Sequence, residues 1–184
     1  MPRAGLSQAA VVDVALALID DRGLEALSLA AVAERAGVAS PSLYKHVGSL
    51  ADLRLLMSVR IVREVTQTFA TEVMGRSGDD AVVALMRAYR AYVLTHSARY
   101  HLVPLDPLRH GDALATAGHE LLGVFGAVLR SYALEASAAT HAIRRLRAAA
   151  HGFATLESGG GFGLDEDVDH SYDELIAMCV RSLR

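Results

Sequence analysis

Apolar side chains recur along this chain at intervals of three and four residues, and no long stretch alternates at intervals of two. A period near 3.6 places such residues on one face of a helix, so the pattern predicts helices almost throughout. Residues 7–22 open the series. Val12, Ala15, Leu16 and Ile19 make one apolar face, with Ser7 placed to cap the start and Gly23 to end it. Ser28 caps a second, short helix over 29–36, whose Leu29, Val32, Ala33 and Ala36 face inward and which Gly37 closes. Ser40 followed by Pro41 has the pattern of an N-cap and a first helical residue, where the missing proline N–H costs nothing. That third helix spans 41–46, and Gly48 breaks it. Ser49 and Asp52 have the spacing of a capping box and open a long fourth helix to about Met74.

The run GRSGDD at 75–80 interrupts the pattern and marks the expected module boundary, giving domains over 5–65 and 75–184. Asp79 and Asp80 start a fifth helix to about Ser97. Pro104 and Pro107 leave room for no more than a short helix within 98–111. A seventh helix is expected over 112–132 and an eighth over 135–157, followed by the glycine-rich loop SGGGFGLDED. Ser171 and Glu174 repeat the capping-box spacing for a last helix ending near Leu183. The expected fold class is all-α, about nine helices in two modules.

Composition narrows the function. With 184 residues, 52% of them hydrophobic, the chain can bury a core without disulfides or metal. No apolar run reaches the roughly 18 residues of a membrane span, and residues 1–10 lack the apolar core of a secretion signal. The single cysteine, Cys179, can form no internal disulfide and suits a reducing cytoplasm. It falls within an apolar helical pattern, as a packed thiol does. The net charge of −3 is unfavourable for a nucleic-acid partner. Its distribution matters more: seven basic and seven acidic residues balance through Thr66, whereas two basic and six acidic residues follow from Ser158. Any DNA face therefore depends on local placement. Seventeen of the eighteen basic residues are arginine, and the one lysine is Lys45.

Lys45 lies in the segment that carries the strongest chemistry, SLAAVAERAGVASPSLYKHV at 28–47. Two short helices meet there at a glycine-containing turn, the arrangement in which the second helix enters the major groove of DNA. Ala33, Val38 and Leu43 are spaced to lock the pair, which leaves Ser40, Ser42, Tyr44, Lys45 and His46 outward. All five can donate hydrogen bonds. This segment resembles the turn and reading helix of the TetR family of transcriptional repressors, including its Leu-Tyr-x-His core at Leu43, Tyr44, Lys45 and His46. The resemblance extends over about residues 6–60 through Gly23-Leu24-Glu25-Ala26-Leu27-Ser28 and Leu29-Ala30-Ala31-Val32-Ala33. It implies that Tyr44 and His46 contact phosphates, that Ser40, Pro41, Ser42 and Lys45 face base edges, and that Ser28 and Ala30 approach the backbone or groove margin. The family often has a phosphate-binding lysine at the start of the fourth helix. Leu50 stands there, which weakens the expected salt dependence, and Arg3 is a candidate to compensate. A serine-rich reading helix makes few bidentate base contacts, so part of the specificity is expected from DNA shape.

So small a reader usually works as a dimer on a palindromic site, and the rest of the chain has to supply the interface. The expected interface is a four-helix bundle of the last two helices and their symmetry mates. Leu146, Ala149 and Phe153 would come from the eighth helix, with His141, Ile143 and Ala150 beside them, and Leu175, Ile176 and Cys179 from the ninth, with Met178 and Leu183. The alternative is that these faces are internal core. His151-Gly152-Phe153 and the later Asp169-His170-Ser171-Tyr172 resemble a subtype of the family marked by Trp-His-Gly, although this chain has no tryptophan. Gly152 within a helix costs roughly 1 kcal/mol against alanine, as where another helix passes closely. The family fold implies a ligand pocket lined by Met86, Tyr89, Tyr92, Val93, His96, Leu121, Leu122, Phe125, His151 and Phe153. Its polar anchors would be Tyr89, His96, His119 and His151, and its ligand a small apolar or amphipathic molecule.

Other chemistries find little footing. The histidines lack the i, i+4 pairing of a helical zinc site, and GGGFG lacks the preceding strand and the lysine of a phosphate loop. No metal, no cofactor and no catalytic residue is expected. The expected function is a cytoplasmic, homodimeric repressor that binds double-stranded operator DNA and is released by a small-molecule effector. A DNA-binding protein without ligand-regulated release is the second possibility, and an all-helical binding protein or enzyme the third.

Overall fold

The computed structural model describes residues 6–184. Among them are nine α-helices and no strand: α1 Gln8–Arg22, α2 Leu29–Ala36, α3 Ser40–Leu43, α4 Leu50–Val73, α5 Gly78–Thr95, α6 Ser97–Leu102, α7 Asp112–Leu129, α8 Ala136–Ser158 and α9 Val168–Arg181. Short 3-10 turns occupy Leu24–Ala26, Pro107–Arg109 and Arg130–Tyr132. No single described helix is long and apolar enough to cross a membrane. The chain forms two compact units, one of residues through Val62 with Ala98–Ala117, the other of Arg63–Ser97 with Gly118–Arg184. This division differs from the expected break at 75–80. The break falls inside α4, because a helix without proline or glycine continues across it, and α6 packs with the N-terminal unit. Arg3 lies outside the described residues.

In the first unit the local signals act as their chemistry dictates. The Ser7 hydroxyl accepts from the Ala10 amide at 3.2 Å and that of Ser28 from Ala31 at 3.1 Å, each satisfying a donor that the first helical turn leaves open. The Ser49 hydroxyl accepts from the Asp52 amide at 3.0 Å, and the Asp52 carboxylate accepts from the Gly48 amide at 2.9 Å. Val11, Ala15, Leu16, Leu18 and Ile19 of α1 are buried, as are Val32, Ala33, Leu43 and Val47. Arg99 of α6 grips Asp20 of α1, with its nearest nitrogen 2.6 Å from the carboxylate.

The second unit is built around aromatic contacts and one enclosed cation. Phe69 of α4 lies 5.3 Å from the Tyr89 ring and 6.4 Å from that of Phe125. The Arg90 guanidinium makes two bonds of 2.5 Å to Glu157 and a third contact of 2.7 Å to Asp169. It also sits 5.0 Å from the Tyr172 ring centre and 5.7 Å from that of Phe153. Arg90 is therefore held firmly charged, chiefly by its bonds to Glu157. The Tyr172 hydroxyl donates to the Met86 carbonyl at 2.6 Å, and burial pushes its phenol pKa up. Elsewhere the Tyr132 hydroxyl donates to Asp79 at 2.6 Å, and Arg184 pairs with the same carboxylate. The Tyr132 bond is the main cause that holds the Asp79 carboxyl below the usual carboxylate range.

Three helix ends depart from the expected pattern. Ala39, not Ser40, takes the N-cap position of α3, and α3 proper ends at Leu43. Residues 44–46 continue as a turn in which the His46 and Val47 amides both donate to the Leu43 carbonyl. Helix α9 begins at Val168 under Asp167, whose carboxylate accepts from the Asp169 amide at 2.9 Å. Ser171 lies within the helix and donates its hydroxyl back to the Asp167 carbonyl. Helix α7 stops at Leu129 and tightens into a 3-10 turn closed by Ala133 in the left-handed region.

Leu146 is fully buried in α8, so Leu146→Ala is expected to cost about 2–5 kcal/mol in a denaturant titration. Asp79→Asn is expected to lower the melting temperature at neutral pH. The Asp79 contribution is complete above the ordinary carboxylate pKa and is lost as pH falls through the lowered native value. Variant and parent melting temperatures should therefore converge on acidification.

Candidate nucleic-acid interface

The bend between α2 and α3 starts at Gly37, which closes α2 in the left-handed region at φ 65°, ψ 33°. Its amide donates to the Glu34 carbonyl at 3.0 Å and the Val38 amide to Ala33 at 3.1 Å. These two bonds satisfy carbonyls that the helix end would leave open. The chain then turns into α3, whose Leu43 is fully buried and fixes which side faces out. At its far end the Gln8 side-chain amide donates to the His46 carbonyl at 3.1 Å and ties the turn to the start of α1.

In this scaffold the expected DNA-facing residues are exposed or half-buried. Ser28, Ala30, Ser40, Pro41, Tyr44 and Lys45 are exposed, and Ser42 and His46 are half-buried. Tyr44 stands out at 59% exposure, unusual for so large an apolar ring and suited to contact with a partner. The Ser28 hydroxyl is engaged as the α2 cap, so its remaining hydrogen-bonding capacity is what a phosphate would meet. Charge is sorted locally. Asp13, Asp20 and Asp21 of α1 pair with Arg60, Arg99 and Arg35, which neutralises those arginines. Among the described residues Lys45 takes part in no ion pair, which leaves its ammonium available to a polyanion.

The residues expected around one ligand cavity are divided. Met86, Tyr89, Val93 and Phe125 are buried in the core, where the Phe69 ring fills the space between Tyr89 and Phe125. Phe69 had no place in the expected set, because its role depends on which distant rings it meets. Tyr92 and His96, with rings 5.0 Å apart, instead line an open cleft of about 610 Å³ along α4 and α5, with Thr68, Glu72, Arg76 and Arg87. Leu121, Leu122 and His151 are half-buried, and His119 is exposed. Phe153 borders a separate pocket of about 200 Å³ with Phe162 and Glu166.

The expected dimer face also needs correction. Leu146, Ile176 and Cys179 are buried within their own subunit, and burial raises the Cys179 thiol pKa. Ala149, Phe153 and Leu175 are half-buried. The buried stripe of α8 is Ala142, Leu146, Ala150 and Ala154, spaced four apart. The opposite side is therefore outward and carries His141, Arg144, Arg145, Ala148 and Leu156. On α9 the outward residues include Glu174, Ala177, Met178 and Arg181. Among the described residues no three His, Cys, Asp or Glu side chains converge on a metal position.

Comparison with known proteins agrees with this architecture. Residues 11–55 match the bacterial regulatory proteins of the tetR family, and residues 82–179 match the tetracyclin repressor-like C-terminal domain. The HTH-type transcriptional regulator Rv0681 of Mycobacterium tuberculosis is 34% identical over 174 residues, which cover 94% of this chain and 79% of that protein. The HTH-type transcriptional regulator YobS of Bacillus subtilis is 31% identical, over 91% of this chain and 87% of that protein. Among solved structures, ActR of Streptomyces coelicolor superposes with a TM-score of 0.72 at 21% identity, covering 98% of this chain and 96% of its own.

No atom lies within 4 Å of a Cβ built on Gly37, so the cost of a side chain there is conformational only. Gly37→Ala is expected to destabilise the chain by roughly 1–2 kcal/mol in a denaturant titration. A variant as stable as the parent would show that the left-handed turn is not required.

Proposed function

The chain belongs to the TetR family of transcriptional regulators, and on that premise we propose that it is a dimeric repressor of a palindromic operator, released by a small apolar or amphipathic ligand. The observation that carries the DNA half of this reading is the cluster of exposed Ser40, Tyr44 and Lys45, with half-buried Ser42 and His46, beyond the Gly37 turn. Placed in the major groove, 41–46 would present Lys45 to base edges, with Tyr44 and His46 toward the phosphates on either side. Such a protein works in the cytoplasm, where its operator is. The dimer would use the outward sides of α8 and α9, so that two reading helices meet two half-sites.

Support for the ligand half comes from ActR, which has been solved in complex with (S)-DNPA and with actinorhodin. Release requires a ligand that binds the DNA-free shape of the dimer more tightly than the DNA-bound shape. The Phe69 packing supports a second reading, DNA binding without ligand-regulated release, because the Phe69 ring packs against both Tyr89 and Phe125, two of the rings expected around a cavity.

The deciding experiment is selection of binding sites from a randomised duplex pool, followed by fluorescence anisotropy on the enriched sequence. A two-fold-related motif is expected, and its absence would overturn the proposal. Tyr44→Phe and His46→Ala should weaken binding on every sequence, whereas Lys45→Ala should change preference at one base position by about 1–3 kcal/mol. Leu50→Lys should tighten binding and steepen the salt dependence by about one unit of log–log slope, which anisotropy at several salt concentrations would read.

A further inference from the structure

The side chains that the proposed function turns toward DNA are held by their backbone alone. Among the described residues those of Ser40, Ser42, Tyr44, Lys45 and His46 make no hydrogen bond and no ion pair within the chain. Their directions therefore follow the path of the main chain that carries them. Tyr44, Lys45 and His46 lie beyond the end of α3, in the turn that follows it. From within, that turn is closed by the His46 and Val47 amides, which donate to the Leu43 carbonyl at 2.8 and 3.0 Å. From outside, one bond reaches it. The Gln8 side-chain amide donates to the His46 carbonyl at 3.1 Å, across 38 positions of sequence. Among the described residues no other side chain hydrogen-bonds to any residue from 38 to 47.

The base on which Gln8 stands is firm. It is the first residue of α1, directly after the Ser7 cap. The Ser7 hydroxyl accepts from the Ala10 amide, and the Ser7 carbonyl accepts from the Val11 amide at 3.0 Å, so the first turn of the helix is closed. Val11 and Val12, on the next positions inward, are buried. The stem of Gln8 thus rises from a fixed point, and its tip holds a segment that has no other outside support. The chemistry of the tip suits the task. A carboxamide is neutral, so it neither attracts nor repels phosphate by charge, and it carries the N–H that a carbonyl acceptor needs. A carboxylate on the same stem would have no proton to give.

A turn already held in shape meets DNA without first being ordered, and ordering on contact costs affinity. That cost falls unevenly. Contacts to base edges depend on direction, whereas attraction to the phosphate backbone is indifferent to sequence. We infer that Gln8 is a positioning residue for DNA reading: its bond to the His46 carbonyl fixes the turn at 44–46 and so sets discrimination between sequences rather than attraction to DNA as such. This rests on the DNA-binding reading and adds to it a residue of α1, outside the helix pair that carries the reading groups.

Two substitutions in the full-length protein test it. Gln8→Met keeps the length of the side chain without the donor, and Gln8→Arg keeps a donor of similar reach. In the free protein, hydrogen exchange followed by NMR should be at least ~5-fold faster at the His46 and Val47 amides of Gln8→Met, and unchanged at Val32 and Ala33 inside α2. Its melting temperature should stay close to that of the parent, because Gln8 is exposed. In fluorescence anisotropy, the ratio of its affinities for the duplex enriched from the randomised pool and for a scrambled duplex should fall at least ~5-fold, with the scrambled affinity kept. Gln8→Arg should keep the parental ratio while its added charge tightens both duplexes alike. Parental exchange at His46 and Val47 in Gln8→Met overturns the hold on the turn, whatever the DNA result. Faster exchange with an unchanged ratio overturns the role in discrimination. An equal loss on both duplexes also overturns it, and makes Gln8 a contact to the phosphates instead. A pool that enriches no motif overturns the operator reading and the discrimination role with it, whereas the hold on the turn is still decided by exchange in the free protein.

Discussion

The angle between α2 and α3 is set by one residue in a conformation that L side chains resist. Gly37 turns the backbone left-handed, and the two amide hydrogen bonds that follow satisfy carbonyls at the helix end. Leu43, sealed in the core, then fixes the rotation of α3 about its own axis. Once direction and rotation are both fixed, Ser40, Tyr44 and Lys45 are left exposed, and Ser42 and His46 half-buried beside them. The chemistry that α3 and the turn after it present is thus a consequence of the backbone geometry at Gly37.

The second unit solves a different problem. It has to hold three helices together through a part of the chain where alanine is abundant and large side chains are few. Arg90 meets that need by bonding to α8 and α9 at once from its place on α5, while two aromatic rings shield it from solvent. The acidic loop before α9 is thereby tied to the end of α8, which leaves the remaining carboxylates pointing away from the subunit. A half-buried ion pair such as Arg90–Glu157 contributes geometry more than net stability, because much of its attraction offsets the cost of removing charges from water.

What could be read from the sequence follows the range of the interactions involved. Ser7, Ser28, Ser49 and Gly37 act on neighbours three or four residues away, and each took the role its local pattern predicts. The outward set at 40–46 was legible for the same reason, since one buried leucine and a turn define it. The start of α9 was less so. Asp167 and Ser171 are both acceptable caps four residues apart, and the choice coincides with the Asp169–Arg90 contact, which reaches 79 residues back along the chain. Helix α8 presents apolar or small residues on both sides, so its period alone could not say which stripe faces the core. The grouping of Phe69 with Tyr89 and Phe125 depends on three separate helices and left no mark in local spacing.

Seventeen of the eighteen basic side chains are guanidinium groups, and the one primary amine among them belongs to Lys45, exposed in the turn after α3. Reagents and enzymes that acylate lysine therefore have a single side-chain target in this protein. One acetyl group there would remove a positive charge and a hydrogen-bond donor without touching any ion pair in the rest of the fold. The arginine bias thus makes a global chemical treatment equivalent to a modification at one place.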